Sequence, residues 1–381
     1  MIIKRDYYLQ QLISSKSNNL IKIVTGIRRS GKSFLLFNLF HNHLIETGIS
    51  EDHIIEIALD DRLNKNLRDP DVILRHIHER IVDDKLYYII LDEVQMIDEF
   101  TDVLNSLLHI RNADVYVTGS NSKFLSKDVV TEFRGRGDEI HLFPLSFAEL
   151  YNSVGGDKFE LWKSYYTYGG LPGILELDSD KKKAAYLRSL HETVYLKDII
   201  ERNNLKNSEE FMELMRVMAS CIGSPCNPSK LENTFKSVKN ETLDRKTISK
   251  YLSYMEDAFL IEKSMRYDIK GRKYIGTLSK YYFQDIGLRN ALLNFRQVEE
   301  NHIMENVIYN ELRLRGFCVD VGMVEARTAK ERKQLEVDFV ANMADRRYYI
   351  QSAFAMPDDA KREQECASLK RIDDSFKKII I

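Results

Sequence analysis

The sequence is poor in the residues that mark several classes of protein. Its 381 residues include only four cysteines, six prolines and one tryptophan. Four cysteines scattered over a chain of this length do not form the disulfide framework of a small secreted protein. Cys221 and Cys226 stand close together, but no second Cys or His pair completes a zinc site. We therefore expect all four thiols to be reduced.

Long apolar runs and an excess of one charge are also missing. No run approaches the roughly 20 apolar residues of a membrane helix, and the first residues do not resemble a secretory signal peptide. A net charge of −2 gives no overall attraction to nucleic acid or to an anionic membrane. The remaining composition, 44% hydrophobic and 30% charged, is typical of a globular protein. We expect two or three domains and a cytoplasmic location.

The most informative segment is Gly26–Ser33, which reads Gly-Ile-Arg-Arg-Ser-Gly-Lys-Ser. It follows an apolar run at 20–24 and precedes a helical pattern, which is the context of a phosphate-binding loop. Glycines let backbone N–H groups surround a phosphate chain, Lys32 reaches the β- and γ-phosphates, and Ser33 ligates Mg²⁺. We predict that the loop binds ATP through Gly26, Ile27, Arg28, Arg29, Ser30, Gly31, Lys32, Ser33 and Phe34.

The role of two of these loop residues stays open. Arg28 and Arg29 either shield the phosphates or contact the base, or they are surface charge.

A second motif is the apolar strand Tyr87–Asp92, whose final Asp92 is followed directly by a second carboxylate, Glu93. We predict that Asp92 holds Mg²⁺ through water, with Ser33 as the direct ligand, and that Glu93 is the general base for the attacking water. Alone, an Asp-Glu pair after a strand would be an ordinary turn. Together with the loop at 26–33 it indicates a nucleoside triphosphatase.

Two further catalytic roles have less specific signals. Asn121 is our choice for contact with the γ-phosphate or the water, with Thr118 or Ser120 next, unless this segment is only a polar turn. Arg136 is our choice to neutralise transition-state charge, within the chain or across a subunit contact. The alternative is a solvated basic loop, and the sequence leaves these choices open.

Strand and helix patterns alternate in the first third, which predicts a parallel sheet with crossover helices in residues 1–155. The predicted strands are Ile21–Thr25, His53–Leu59, Tyr87–Asp92, Asp114–Thr118 and Glu139–Phe143. The predicted helices are Ser33–Thr47, Pro70–Val82 and Glu99–Arg111.

The rest of the chain predicts three more regions. Residues 156–204 form a helical connector, and 205–275 have the helix-then-hairpin order of a winged helix. Residues 276–381 indicate a small α/β domain that ends inside a strand, so we expect either a truncated chain or an unusually short end.

A local basic excess bears on the winged-helix region. Between Lys230 and Lys280, 12 Lys and Arg stand against 7 Asp and Glu. This region either binds DNA or makes protein contacts, and in the second case its basic residues are a solvated face. Both alternatives stay open. The candidate DNA contacts are Thr247, Ser249 and Lys250 on a helix and Lys270, Arg272 and Lys273 on the wing.

Taken together, these motifs resemble a family of prokaryotic AAA-like (ASCE/STAND-type) P-loop ATPases with a C-terminal DUF4143 domain. The resemblance covers nearly the whole chain and rests on Thr25–Ser33, Leu91–Gln95, Thr118–Ser122, Gly135–Arg136, Phe143–Phe147, Tyr168–Pro172, Tyr195–Ile199, Lys280–Arg289 and Glu305–Asn306. It implies an α/β fold: a P-loop sheet with helices on both faces, a winged-helix region and a C-terminal restriction-endonuclease-like α/β domain. It also implies ATP and Mg²⁺ as ligands.

The implied nuclease-like site departs from its pattern. That fold presents an Asp on one strand and Glu-x-Lys on the next. Glu305 and Asp338 fit, but Gln351 and Ala353 stand at the Glu and Lys positions. A neutral amide is a poor Mg²⁺ ligand, and alanine cannot replace an ammonium group. We therefore predict a nuclease scaffold that does not cleave DNA.

The leading hypothesis is thus an ATP-hydrolysing molecular switch. Its alternative is a DNA-binding or DNA-processing protein that ATP regulates. A metal-dependent nuclease is opposed by Gln351 and Ala353, and a scaffold that binds ATP without turnover is opposed by Glu93. We expect no membrane partner, and a homo-oligomer stays open.

Overall fold

The computed structural model describes residues 3–119, 135–239, 243–296, 299–327 and 332–381. The chain divides into two compact units, Met1–Gly155 with Asp257–Phe259, and Gly156–Glu256 with Leu260–Ile381. A unit boundary therefore falls at residue 155, the predicted end of the first domain. No helix within the described ranges is long and apolar enough to cross a membrane.

The first unit is built on a five-stranded parallel sheet of order β2-β3-β4-β1-β5. Its strands are β1 (Ile21–Thr25), β2 (Ile54–Ala58), β3 (Tyr87–Asp92), β4 (Ala113–Thr118) and β5 (Gly137–His141). Strands β1 and β3 are apolar runs that are buried along their whole length, as a parallel sheet covered on both faces requires. The predicted parallel sheet is confirmed.

Helices cover both faces of this sheet. They are α1 (Asp6–Ser14), α2 (Lys32–Phe34), α3 (His41–Glu46), α4 (Pro70–Arg80), α5 (Phe100–Leu107) and α6 (Phe147–Val154), and a π-helical turn (Leu35–Phe40) joins α2 to α3. On one face Ile89 packs in the same core as Ile73 of α4 and Leu104 of α5. On the other face the ring of Phe40 lies 6.3 Å from that of Tyr88. Alternate residues of β3 therefore serve opposite helical layers.

The second unit combines helices with a six-stranded sheet of order β11-β10-β9-β8-β6-β7. Its helices are α7 (Lys158–Tyr168), α8 (Asp180–Leu190), α9 (Lys197–Asn203), α10 (Ser208–Ser220), α11 (Pro228–Thr234), α12 (Arg245–Asp257), α13 (Ile286–Leu292), α14 (Glu300–Leu314) and α15 (Asp359–Leu369). Its strands are β6 (Ile261–Asp268), β7 (Lys273–Phe283), β8 (Cys318–Arg327), β9 (Arg332–Met343), β10 (Arg346–Gln351) and β11 (Lys377–Ile380).

The hairpin that the sequence assigned to a winged helix is β6–β7, and it belongs to this sheet. Strand β6 pairs with β7 on one side and in parallel with β8 on the other. The predicted domain boundary at 275/276 falls inside β7. Because backbone hydrogen bonds join the hairpin to the C-terminal strands, the division into 205–275 and 276–381 does not separate two sheets.

A buried carboxylate fixes two segments of the second unit to each other. Asp285 caps α13 by accepting from the backbone N–H of Leu288 at 2.9 Å, and it also accepts from that of Gly170 at 2.8 Å. Burial raises the pKa of Asp285 to about 6. The segments 168–172 and 280–289, on both of which the family resemblance rests, are thus in direct contact.

Candidate functional site

The loop Gly26–Ser33 follows the carboxyl end of β1 and leads into the helical segment that begins at Lys32. Gly26 has φ 139° and Gly31 has φ 100°, conformations that L side chains rarely adopt. A Cβ at Gly26 would also lie 2.2 Å from the carbonyl oxygen of Leu142. Only glycine therefore permits this path, which ends at a helix N-terminus where anions are favoured.

Lys32 is a buried cation held by neutral acceptors. Its Nζ donates to the carbonyl oxygens of Gly26 at 3.0 Å and Ile27 at 3.1 Å. Burial lowers the pKa of Lys32, the charges of Glu93 and Asp92 raise it, and the charge of Arg28 lowers it further. A cation in this setting gains stability from an anionic ligand such as a phosphate.

The other predicted loop residues differ in exposure. Ile27 and Ser30 are fully buried. Arg29 is exposed and has φ 66°, and the Phe34 side chain is 38% exposed. The charge of Arg28 lowers the pKa of Lys32, so Arg28 lies close enough to influence the predicted phosphate site. The exposure of Arg29 agrees with the alternative that Arg29 is surface charge.

The two predicted Mg²⁺ ligands, Ser33 and Asp92, are brought together. The Ser33 hydroxyl donates to Oδ2 of Asp92 at 2.7 Å, and the Thr118 hydroxyl donates to Oδ1 of the same carboxylate. Burial raises the pKa of Asp92, while these two hydrogen bonds lower it. Hydroxyl and carboxylate oxygens suit Mg²⁺ bound together with substrate phosphates, so the residues present fit the ion.

Glu93 follows Asp92 in the left-handed conformation, with φ 53°. Its backbone N–H donates to Oγ1 of Thr118 at 2.9 Å, and its Oε2 accepts from Nε2 of Gln95. Because β4 lies between β1 and β3 in the sheet, Thr118 at its carboxyl end contacts both carboxylate residues. Thr118 was the alternative to Asn121, which lies with Ser120 outside the described residues.

Arg136 lies at the amino end of the parallel strands, opposite the end that carries the loop Gly26–Ser33. Its carbonyl oxygen accepts from the backbone N–H of Ile21, at the start of β1, at 2.9 Å. Because β1 and β5 are parallel, about 15 Å of strand separates this end from the loop. The guanidinium donates to Asn105 at 3.4 Å. This placement contradicts a role of Arg136 on ATP bound in its own chain, and only its role across a subunit contact stays a prediction.

Arg5 is a residue of this region that the sequence reasoning missed. Its buried guanidinium donates to the carbonyl oxygens of Phe143 at 2.7 Å and Ser30 at 3.4 Å, and it pairs with Glu149 at 3.0 Å. It therefore links the phosphate-binding loop to α6. A lone arginine before a helix gives no sequence signal for this role.

The second unit contains a buried lysine among carboxylates. Nζ of Lys280 lies 2.7 Å from Glu305, 2.8 Å from Glu336 and 3.8 Å from Asp338. Burial alone would lower the pKa of Lys280, but the charges of these carboxylates together raise it. Tyr282 also donates to Glu305 at 2.7 Å. Burial, followed by the charge of Glu305, raises the pKa of Asp338 to about 7.

This cluster contains both carboxylates of the predicted nuclease-like site, Glu305 and Asp338. The ammonium that Ala353 lacks comes from Lys280 on β7, a strand that is not a neighbour of β9. Gln351 does not supply charge, and its Oε1 accepts from the Ser368 hydroxyl at 3.3 Å. Across the described ranges, no group of three or more His, Cys, Asp or Glu is arranged to hold a metal ion.

The candidate DNA contacts are exposed or make local bonds. The Thr247 hydroxyl donates to Asp244 at 2.7 Å, and the Ser249 hydroxyl donates to the carbonyl oxygen of Arg245 at 2.8 Å. The ammonium of Lys250 lies 5.7 Å from the ring centre of Tyr254. Three basic residues are exposed at this hairpin: Lys270 and Arg272 on the turn between β6 and β7, and Lys273 at the start of β7.

Two family models match separate parts of the chain. A family model described as an AAA domain matches residues 18–151, and a domain of unknown function (DUF8612) matches residues 159–299. The second match differs from the DUF4143 domain that the resemblance implied. The chain is 34% identical to an uncharacterised protein of Haemophilus influenzae, over 100% of this chain and 93% of the relative. It is 29% identical to an uncharacterised protein of Methanocaldococcus jannaschii, over 98% and 82%.

Solved structures show only distant likeness. The Orc1 protein of Aeropyrum pernix in complex with DNA is 13% identical, with a TM-score of 0.32, over 77% of this chain and 92% of that chain. Cdc6p of Pyrobaculum aerophilum is 12% identical, with a TM-score of 0.33, over 81% and 95%. Scores this low carry no argument about the function of this chain.

Proposed function

The chain belongs to the family of its Haemophilus influenzae relative, with an AAA-type P-loop ATPase domain over residues 18–151, and on that premise we propose that it hydrolyses ATP as a molecular switch. One observation carries the proposal: Ser33, Asp92 and Thr118 form a continuous set of hydrogen bonds beside Glu93. Binding and hydrolytic residues are thereby held together. We place the protein in the cytoplasm, where ATP is available.

Each residue has a defined task in this proposal. Lys32 binds the β- and γ-phosphates, and the backbone of 26–31 surrounds the phosphate chain. Ser33 and Asp92 hold Mg²⁺, which neutralises phosphate charge when bound. Glu93 accepts a proton from the attacking water, since a carboxylate placed there acts as a general base. Thr118 fixes Asp92 and the backbone of Glu93 relative to each other.

The test is a phosphate-release assay with Mg²⁺ and ATP on wild type and Glu93→Gln. We expect the variant to keep ATP affinity, measured by calorimetry, and to lose about a hundredfold or more in kcat, because the amide cannot accept the proton. Glu99→Gln is a matched control outside the proposed machinery and should turn over at the wild-type rate. Equal kcat in Glu93→Gln and wild type would remove Glu93 from the mechanism.

A DNA-binding role is the second candidate, favoured by the exposed basic turn with Lys270, Arg272 and Lys273. We expect such binding to weaken steeply with salt, because phosphate contacts release counterions. The assay above, repeated with DNA, distinguishes the two candidates. DNA-stimulated turnover that is lost when the three basic residues are replaced by Ala supports the DNA role, and DNA-independent turnover with no measurable DNA binding contradicts it.

A further inference from the structure

Gln95 is a side chain of the Asp92-Glu93 motif for which we have assigned no task. It lies two residues after Glu93, on the short 3-10 turn Val94–Met96. Its Nε2 donates to Oε2 of Glu93. The side chain of the proposed general base is thus in direct contact with an amide.

The backbone around this contact is tightly held. Glu93 is in the left-handed conformation with φ 53°, and its carbonyl oxygen accepts from the N–H of Met96 at 2.9 Å. Its N–H is bonded to Thr118, and the intervening Val94 is fully buried. Residues 93 and 95 therefore have little freedom to separate without breaking this turn.

The orientation of the amide also has a reason. The other end of the amide, Oε1 of Gln95, is buried and accepts no hydrogen bond from the described residues. A buried carbonyl without a donor is costly. The reverse orientation would place this oxygen against the Glu93 carboxylate, where two acceptors repel. The N–H bond to Glu93 therefore determines how Gln95 is oriented.

We propose that Gln95 is a positioning residue for Glu93: the amide N–H of Gln95 holds the Glu93 carboxylate in place. This inference rests on the proposed ATPase function. A general base must lie within hydrogen-bond reach of the proton that it accepts, so the placement of this carboxylate bears directly on the rate. Gln95 itself does not contact the reacting atoms in this proposal.

Two variants of similar size test the inference. Gln95→Met removes the donor, and Gln95→Glu removes it and adds a like charge. We measure kcat by phosphate release and ATP affinity by calorimetry in the wild type and both variants. Gln10→Met, at an exposed position of α1, is the control.

We expect kcat near neutral pH to fall about ten- to a hundredfold in Gln95→Met, the range that follows displacement of a catalytic group. The loss should be larger in Gln95→Glu, because its like charge repels the Glu93 carboxylate as well as removing the donor. ATP affinity should stay within twofold of wild type, about 0.4 kcal/mol. Gln10→Met should match the wild type throughout.

Three results would overturn the inference alone, given a wild type that hydrolyses ATP. The first is an unchanged kcat in both variants. The second is faster turnover, which would mean that the amide holds Glu93 away from the water. The third is a lower kcat together with an equally lowered ATP affinity, which indicates only a structural role. A wild type without turnover would instead overturn the proposed function and this inference with it. If Gln95→Met does not fold, Gln95→Glu provides the same test.

Discussion

Lys32 of the first unit and Lys280 of the second are both buried near carboxylates, but the two ammonium groups have different partners. In the first unit, Lys32 donates to the carbonyl oxygens of Gly26 and Ile27. In the second unit, Lys280 lies within 2.7–3.8 Å of Glu305 and two further carboxylates. Burial lowers the pKa of Lys32, whereas the carboxylates raise that of Lys280 against the effect of burial.

The difference separates a lysine available to a ligand from one whose charge is already balanced. Carbonyl oxygens compensate a positive charge only in part, so Lys32 is suited to bind an anion that arrives with its own charge. The carboxylates around Lys280 complete an ion cluster within the protein, and breaking a buried cluster of this kind is costly. We therefore expect Lys32 to serve ligand binding and Lys280 to serve stability.

The largest effect should come from Lys32→Met. Without the ammonium, nothing at this position offsets the charge of the β- and γ-phosphates, and we expect ATP affinity in Mg²⁺ to fall by at least about a hundredfold. Isothermal calorimetry measures the change. Lys280→Met is the matched control and should bind ATP as wild type does. Unchanged ATP affinity in Lys32→Met would contradict the binding role that the comparison gives to Lys32.

Lys280→Met should destabilise the second unit strongly. The substitution leaves Glu305, Glu336 and Asp338 close together without their cation, and we expect a loss of about 3–5 kcal/mol. Urea unfolding, followed in parallel for Lys32→Met, gives the measurement. Similar stability in the two variants would show that the cluster around Lys280 is not the stabilising element that we infer.

Asp338→Asn should instead increase the stability of the folded protein, and the size of the increase should depend on pH. The pKa of Asp338 is raised from 3.8 to about 7 in the folded protein. Between these values the folded state keeps a proton that the unfolded state has lost, so stability falls as pH rises. Asparagine stays neutral, and we expect the variant to be more stable than wild type above pH 7 by about 1–3 kcal/mol. Denaturation at several pH values should show this gain vanish toward pH 4.

The smallest expected effect is the absence of DNA cleavage. Gln351 supplies no charge, and the ammonium of Lys280 is engaged by carboxylates. We expect supercoiled and linear DNA to stay intact with Mg²⁺ or Mn²⁺, with and without ATP. Cleavage that disappears in Asp338→Ala but persists in Glu93→Gln would show a working nuclease site in the second unit.

The sequence alone predicted the parts of the site that depend on local spacing and on one general property of parallel sheets. The loop Gly26–Ser33 needs its glycines at fixed positions, and a strand that ends in Asp92 and Glu93 meets the loop because carboxyl ends share an edge. Ser33 and Asp92 are accordingly bonded. The ends of β1 and β3 were also predictable, because both strands are mainly apolar and are bounded by polar segments.

The parts that only the tertiary structure decided depend on strand order and on distant side chains. Arg136 lies far from the loop Gly26–Ser33 of its own chain. Residues just before a parallel strand lie at the amino end of the sheet, and the loop follows the carboxyl end of β1. Thr118 bonds to both Asp92 and Glu93 because β4, although later in the chain, lies between β1 and β3. Lys280 of β7 reaches Glu336 and Asp338 of β9, although the two strands are not neighbours in the sheet. Such contacts join residues that are far apart in the chain, and periodicity describes only the neighbours of each residue along its own helix or strand.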